Sequence, residues 1–286
     1  MGLELVKKLR EATGVGILAC QKALKETGDD YEAAIDLLRK QGIAKASSKA
    51  DRETGEGLCC IATSDNGVAV VKLNCETDFV AKTEKFQSLL QKITNVALST
   101  KSGSVEELSS QSVDGVLFGD LIKENIATIG ENIILGDVKF HSLDNDKVVD
   151  YYVHNQVEGN NKMGMIVSLI VSKGCKTDEA KMLLKQVNMH IAAMSPFALT
   201  EDRMDKNILE REKAIYEEQV AQLNKPADIS AKMVEGKIRK FFEEKVLLKQ
   251  MFVLDNKKTV ANVISDFNKS NNCELEILDF ERVSIK

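Results

Sequence analysis

Residues 58–63 and 68–74 are two β-rich runs that meet at Ser64-Asp65-Asn66-Gly67. An Asn-Gly pair between such runs specifies a tight hairpin, because both turn residues tolerate positive φ. Residues 83–98 then place Phe86, Leu89, Leu90, Ile93, Val96 and Ala97 at helical spacing, so the hairpin hands over to a helix. Ser104 and Glu107 form a capping box for a further short helix, residues 121–129 read as another, and 132–140 as a strand. This unit is α+β. The theme recurs downstream: a strand at 148–156, a turn around Gly159-Asn160-Asn161, an apolar strand at 163–171 and a helix at 177–193.

Ahead of the hairpin the spacing predicts three short helices at 3–12, 17–26 and 31–40, with Val6, Leu9, Ile17, Cys20, Leu24, Ile35 and Leu38 as their small core. Gly14-Val15-Gly16 and Gly28-Asp29-Asp30 break them, the second pair of acids being placed to cap the third helix. Residues 42–57 turn polar, with Lys45, Lys49 and Arg52 among small residues, and read as a linker. Between 200 and 244 two charged helical patterns break at Asn224-Lys225-Pro226, the pattern of an antiparallel helical hairpin. A strand near Phe252, a helix at 259–267 and a strand at 274–283 close the chain.

A length of 286 residues fits two packed units plus a small module, at roughly 150 residues per domain. Net charge −5 without a block of basic residues argues against nucleic acid as a partner. The longest nearly apolar run, 163–171, is far short of the roughly 20 residues of a membrane-spanning helix, so no membrane partner is expected. Residues 1–8 carry charge at once and no apolar h-region, so a cytoplasmic protein without an export signal is expected. Gly2 invites myristoylation, but Val6 stands where that motif requires Ser or Thr. Six cysteines lack a CxxC and read as reduced core fillers, and His141, His154 and His190 show no paired zinc spacing, so no metal site is expected.

Gly14-Val15-Gly16-Ile17-Leu18-Ala19 matches GxGxxA, but the dinucleotide fingerprint needs a preceding strand, and residues 3–13 have helical spacing with two lysines. No cofactor is expected, and no GxxxxGK[ST] loop or GxSxG elbow occurs. Acid pairs such as Asp29-Asp30 and Glu243-Glu244 flank helices, where caps and surface charges belong, so side-chain catalysis is not expected. In Glu76-Thr77-Asp78-Phe79-Val80 a strand ends and an acid and an aromatic stand side by side. On residue type alone Asp78 is a helix N-terminal acid and Phe79 a core residue.

Residues 9–24 (LREATGVGILACQKAL) and 75–82 (CETDFVAK) resemble the two signatures of the elongation factor Ts family. Ile129-Gly130-Glu131-Asn132-Ile133, Met189-His190-Ile191-Ala192-Ala193 and Lys232-Met233-Val234-Glu235-Gly236-Lys237 extend the resemblance over nearly the whole chain. It implies an α+β fold made of a ubiquitin-associated-like three-helix module (1–41), a linker (42–57), two related core subdomains (58–140; 141–199 with 245–286) and an inserted helical hairpin (200–244). It also implies a non-enzymatic guanine nucleotide exchange factor for elongation factor Tu in translation. Thr77, Asp78, Phe79 and Val80 would disturb the partner's Mg²⁺ site, while Ile17, Leu18, Lys22 and His154 would dock on the partner. A second copy of the chain stays open as a partner, and an adaptor built on the three-helix module, without exchange activity, is the alternative. Gln21 stands for a usual Lys and Met251 for a usual Pro. The chain stops soon after its last strand, so contacts of a longer C-terminal helical tail are not carried over.

Overall fold

The computed structural model describes residues 3–113, 115–144 and 146–285, with the side chains of Leu3, residues 43–47 and Val113 outside that description. Gly2 and the side chain of Lys45, both weighed above, lie outside it. The chain divides into two compact units, residues 1–142 with 155–166 and 283–286, and residues 143–154 with 167–282.

The first unit opens with α1 (Leu3–Thr13), α2 (Ile17–Glu26) and α3 (Tyr31–Ser47). Gly14 ends α1 at φ 65°, its amide donating to the Arg10 carbonyl at 2.7 Å, and Gly16 is the extended N-cap of α2. The GxGxxA segment is therefore a turn between two helices and lacks the strand that a dinucleotide site requires. Asp30 caps α3, accepting from the Ala33 amide at 3.0 Å. Val6, Leu9, Cys20, Ala23, Leu24, Ala34 and Leu38 form the core of these helices. Ile17, expected there, is 47% exposed instead, because it is the first residue of α2.

The hairpin is β1 (Glu56–Ser64) and β2 (Gly67–Cys75), antiparallel from Ser64↔Gly67 to Glu56↔Cys75. There follow α4 (Asp78–Ala81), α5 (Glu84–Thr100), α6 (Val105–Ser109), β3 (Ser112–Val113), β4 (Val116–Leu117), α7 (Phe118–Ile129) and β5 (Ile133–Ser142). β5 pairs antiparallel with β2, and Phe86, Leu90, Ile93 and Ala97 of α5 bury against Cys60, Val71 and Leu73 of the hairpin. The Ser104 hydroxyl accepts from the Glu107 amide at 3.1 Å, but the Glu107 carboxylate accepts from the Gly103 amide at 2.7 Å, so the reciprocal half of the expected capping box falls one residue upstream.

α3 runs seven residues past the expected end at Lys40. A Cβ on Gly42 would stand 3.2 Å from the Ala127 Cβ, so α3 crosses α7 closely at that glycine. Arg39 adds an ion pair to Glu124 of α7 at 2.6 Å.

The second unit takes most of β6 (Lys147–Val157) and the second half of β7 (Asn160–Lys173). It continues through α8 (Asp178–Met194), α9 (Lys206–Ala221), α10 (Ala227–Lys245), β8 (Met251–Phe252), β9 (Asp255–Thr259), α11 (Val260–Asn271) and most of β10 (Glu276–Ser284). β6 and β10 both pair with β7, and Leu184, Val187 and Ile191 of α8 pack with Ile170, Leu247, Val260 and Leu275. α9 and α10 fold back on one another, with Lys237 reaching Gln219 at 3.0 Å and lying over the Tyr216 ring. The hairpin's two feet are joined where the Phe197 amide donates to the Lys245 carbonyl and the Leu247 amide to that of Ala198, each at 2.8 Å.

His190 is fully buried on α8. Its Nδ1 accepts from the Val253 amide at 3.1 Å, which leaves the proton on Nε2 to donate to Gln250 Oε1 at 2.9 Å. Burial pushes the imidazole pKa down, with the Gln250 bond opposing. A histidine kept neutral in the fold contributes stability that is full above its unfolded pKa of about 6.5 and is lost as pH falls below it. In urea unfolding between pH 7.5 and 5.5, wild type is expected to lose stability with acid by up to about 1.4 kcal/mol per pH unit more than His190→Asn. Equal slopes would show that His190 does not drive this dependence.

Candidate partner-docking site

β2 ends at Cys75, and the chain turns at once into α4. Thr77, extended at φ −127° and ψ 152°, caps that single turn by accepting from the Val80 amide at 3.3 Å. Thr83 then caps α5, accepting from Phe86 at 3.3 Å, so two caps six residues apart fix the backbone between them. Phe79, taken on residue type as core, is 78% exposed. The reason is geometric: in a one-turn helix, Val80 and Ala81 pack on the hairpin core and Phe79 falls on the opposite side. Asp78 pairs with Lys82 at 2.6 Å, and that hydrogen bond holds its carboxyl below the usual carboxylate range.

A reciprocal clamp supports this turn. The Glu131 carboxylate accepts from the amides of Glu76 at 3.1 Å and Thr77 at 3.0 Å and from the Thr77 hydroxyl at 2.6 Å. Glu76 in return accepts from the Asn132 amide at 2.7 Å, and the Asn132 side chain donates to the carbonyls of Ala50 and Arg52 at 3.2 and 3.0 Å. Periodicity does not reveal Glu131 and Asn132 as supports, although they stand within the 129–133 motif quoted above; the available signal was a polar pair between a helix-ending glycine and an apolar strand. Cys75 is buried beside them, its thiol donating to the Thr77 carbonyl at 3.2 Å, and burial together with the Glu131 charge pushes its pKa up to about 12. It is a thiol at neutral pH and no nucleophile.

Glu131→Ala leaves two amides and a hydroxyl without their charged acceptor and is expected to cost about 2 kcal/mol in urea unfolding. Glu131→Gln should lose less, since an amide oxygen still accepts. An alanine variant as stable as wild type would remove the clamp from the account.

On α2, Leu18 is 82% exposed, and Lys22, one turn on, has a 74% exposed side chain in loose contact with Glu26 at 3.8 Å. Ile17, Leu18 and Lys22 thus share one helix, and Thr77 to Val80 one turn, both in the first unit. His154 belongs to the second unit, exposed on β6, with Nδ1 3.0 Å from the Tyr152 hydroxyl two residues away on the same strand face. Tyr152 was not picked out from the sequence. Among the described residues no group of three His, Cys, Asp or Glu side chains is arranged to hold a metal ion, and no helix is long and apolar enough to cross a membrane.

Against known proteins, the family described as Elongation factor TS matches residues 76–286. Elongation factor Ts of Brucella anthropi is 44% identical over 283 residues, covering 98% of this chain and 91% of that protein. Elongation factor Ts of Brucella ovis is 43% identical over 282 residues, covering 98% of this chain and 91% of the relative.

Proposed function

The chain belongs to the elongation factor Ts family, and from that membership we propose that it is the guanine nucleotide exchange factor for elongation factor Tu in translation elongation, working in the cytoplasm. The observation that supports this reading most is a rigidly held, solvent-facing Phe79 beside Asp78, on a turn fixed by two caps and the Glu131 clamp. No bond is made or broken. In a GTPase pocket the nucleotide and Mg²⁺ hold each other, since the metal neutralises phosphate oxygens and is positioned by the pocket's loops and water. A protein that binds the empty GTPase more tightly than the GDP form weakens GDP by the same factor, a coupling typically of about 1–3 kcal/mol.

Phe79 enters an apolar slot on the GTPase, and Asp78 disturbs the groups that serve the metal. Thr77 and Val80 set the pose: Thr77 through its cap, Val80 by packing back onto the hairpin core. Releasing Asp78 from Lys82 for this purpose costs little, because that ion pair is exposed. The three α-helices before residue 48 form a ubiquitin-associated-like module whose Ile17, Leu18 and Lys22 dock on the nucleotide-binding domain, and His154 makes a separate contact from β6. The two core subdomains are related, and the α9–α10 hairpin is an insertion in the second.

Stopped-flow release of a fluorescent GDP from purified elongation factor Tu tests the proposal. Adding the chain should accelerate release in proportion to its concentration until saturation; release at the spontaneous rate would refute it.

A further inference from the structure

β7 and β10 run past one another in opposite directions: the Ile285 amide donates to the Met165 carbonyl at one end, and at the other the Lys173 ammonium is 2.9 Å from the Glu276 carboxylate and Gly174 reaches Glu274. A Cβ on Gly174 would stand 1.9 Å from the Glu274 carbonyl oxygen, so the two backbones touch there. The next residue on one side is Cys175 and the preceding residue on the other is Cys273, and both side chains belong to one apolar cluster, Cys175 within it and Cys273 packed against it. Opposed residues on antiparallel chains have Cα separations that a disulfide can span.

The two sulfurs differ in access, and access decides which of them a dissolved disulfide reaches first. Cys175 is 5% exposed, while Cys273 is partly exposed and its thiol donates to Asn268 Oδ1 at 3.5 Å. Cys175 lies just ahead of the N-terminus of the 17-residue α8, next to the Thr177 hydroxyl at 3.8 Å. Interaction with the Thr177 backbone holds the Cys175 pKa down, whereas burial holds that of Cys273 up. The other four cysteines are buried in the first unit.

We propose that Cys175 and Cys273 are a thiol-oxidation site that closes reversibly to an intramolecular disulfide. With a small disulfide such as oxidised glutathione as oxidant, Cys273 loses its proton and attacks one glutathione sulfur, and the other glutathione leaves as a thiolate. The Cys175 thiolate then attacks the Cys273 sulfur and expels the second glutathione. Two protein thiols become one disulfide and one glutathione disulfide becomes two thiols. The bond ties the β7–α8 loop to the entry of β10 and encloses α8 to α11 in one covalent loop, which restricts the unfolded chain.

The test is incubation of the folded full-length chain with oxidised glutathione, followed by thiol-blocked peptide mass mapping under non-reducing conditions. A Cys175–Cys273 cross-linked peptide is expected, reversed by dithiothreitol, with Cys20, Cys59, Cys60 and Cys75 still blocked as thiols and an upward shift of the thermal transition. Cys175→Ser should stop at a glutathione adduct on Cys273, and Cys273→Ser should leave Cys175 unmodified. A persistent Cys273 adduct in wild type, no modification of either thiol, or a cross-link that forms only in denaturant would overturn the proposal. These outcomes are independent of exchange activity.

Discussion

Phe79→Ala will slow the GDP release that the chain promotes by about 30-fold, corresponding to about 2 kcal/mol of lost coupling, while leaving the melting transition where it is. Exposure alone would not carry this expectation, because isolated apolar side chains on a protein surface are ordinary. What distinguishes Phe79 is that its backbone is held by the Thr77 cap, the Thr83 cap and the three hydrogen bonds into Glu131. The entropic cost of presenting the ring is met within the free protein, so burial of the ring in the partner goes into binding instead of ordering. Since the ring is 78% exposed, its truncation removes little packing from the chain itself, and stability and exchange separate cleanly. Phe79→Leu, which keeps an apolar body but loses the ring, should fall between. Asp78→Ala should cost less than Phe79→Ala, as that carboxylate is already shared with Lys82. A folded Phe79→Ala chain that accelerates release as well as wild type would remove the wedge.

How far the sequence reaches is set by the range of the physics involved. The β1–β2 hairpin was legible because two β-rich runs meet at a short polar turn, but the turn itself differs from the expected Asn-Gly one: Gly67 already pairs with Ser64, while Asp65 and Asn66 make the turn, and none of Asp65, Asn66 and Gly67 takes positive φ. The helices α5, α8 and α11 were legible because each buries one apolar stripe at a period that the chain displays. The end of α3 was not, since its last turns have no large apolar stripe and gain their packing from a distant helix through Gly42 and Arg39. Phe79 was misplaced by residue type, because a single turn gives no periodicity from which to choose a face; only the resemblance marked it. Glu131 escaped for a related reason: its three partners lie more than fifty residues away, and no local pattern reports where a carboxylate points. Ile17 was assigned both to the module's core and to docking, and its 47% exposure removes the first role. His190 showed only an absence of zinc spacing in the sequence, and its two buried hydrogen bonds give it a structural role.

Gly57→Ala is expected to destabilise the first unit by about 3 kcal/mol or more, from backbone strain and overpacking together. Gly57 stands one pair in from the open end of the β1–β2 ladder, opposite Asn74, with φ 144°, a conformation that L side chains rarely adopt. A Cβ there would lie 2.2 Å from the Leu73 carbonyl oxygen and 2.9 Å from the Asn74 Cα, both backbone atoms that no rotamer change can move. Relief requires opening the ladder at the end where β2 leads into Cys75 and the Thr77 cap. It also disturbs Asn74, whose side-chain amide holds the carbonyls of Thr54 and Glu56 at 3.2 and 3.3 Å. Gly55→Ala is the matched control, two residues earlier, with no positive φ and nothing within 4 Å of the added carbon, and should change stability by only a few tenths of a kcal/mol at most. Urea unfolding read by amide hydrogen exchange on β1 and β2 separates the two. If Gly57→Ala protects those amides as wild type does, the close approach is not the constraint that fixes this end of the hairpin. If it exposes them while the hydrogen-bonded core of α8 stays protected, the loss is local to the ladder that carries Phe79. GDP release should then fall even at temperatures where the second unit remains folded.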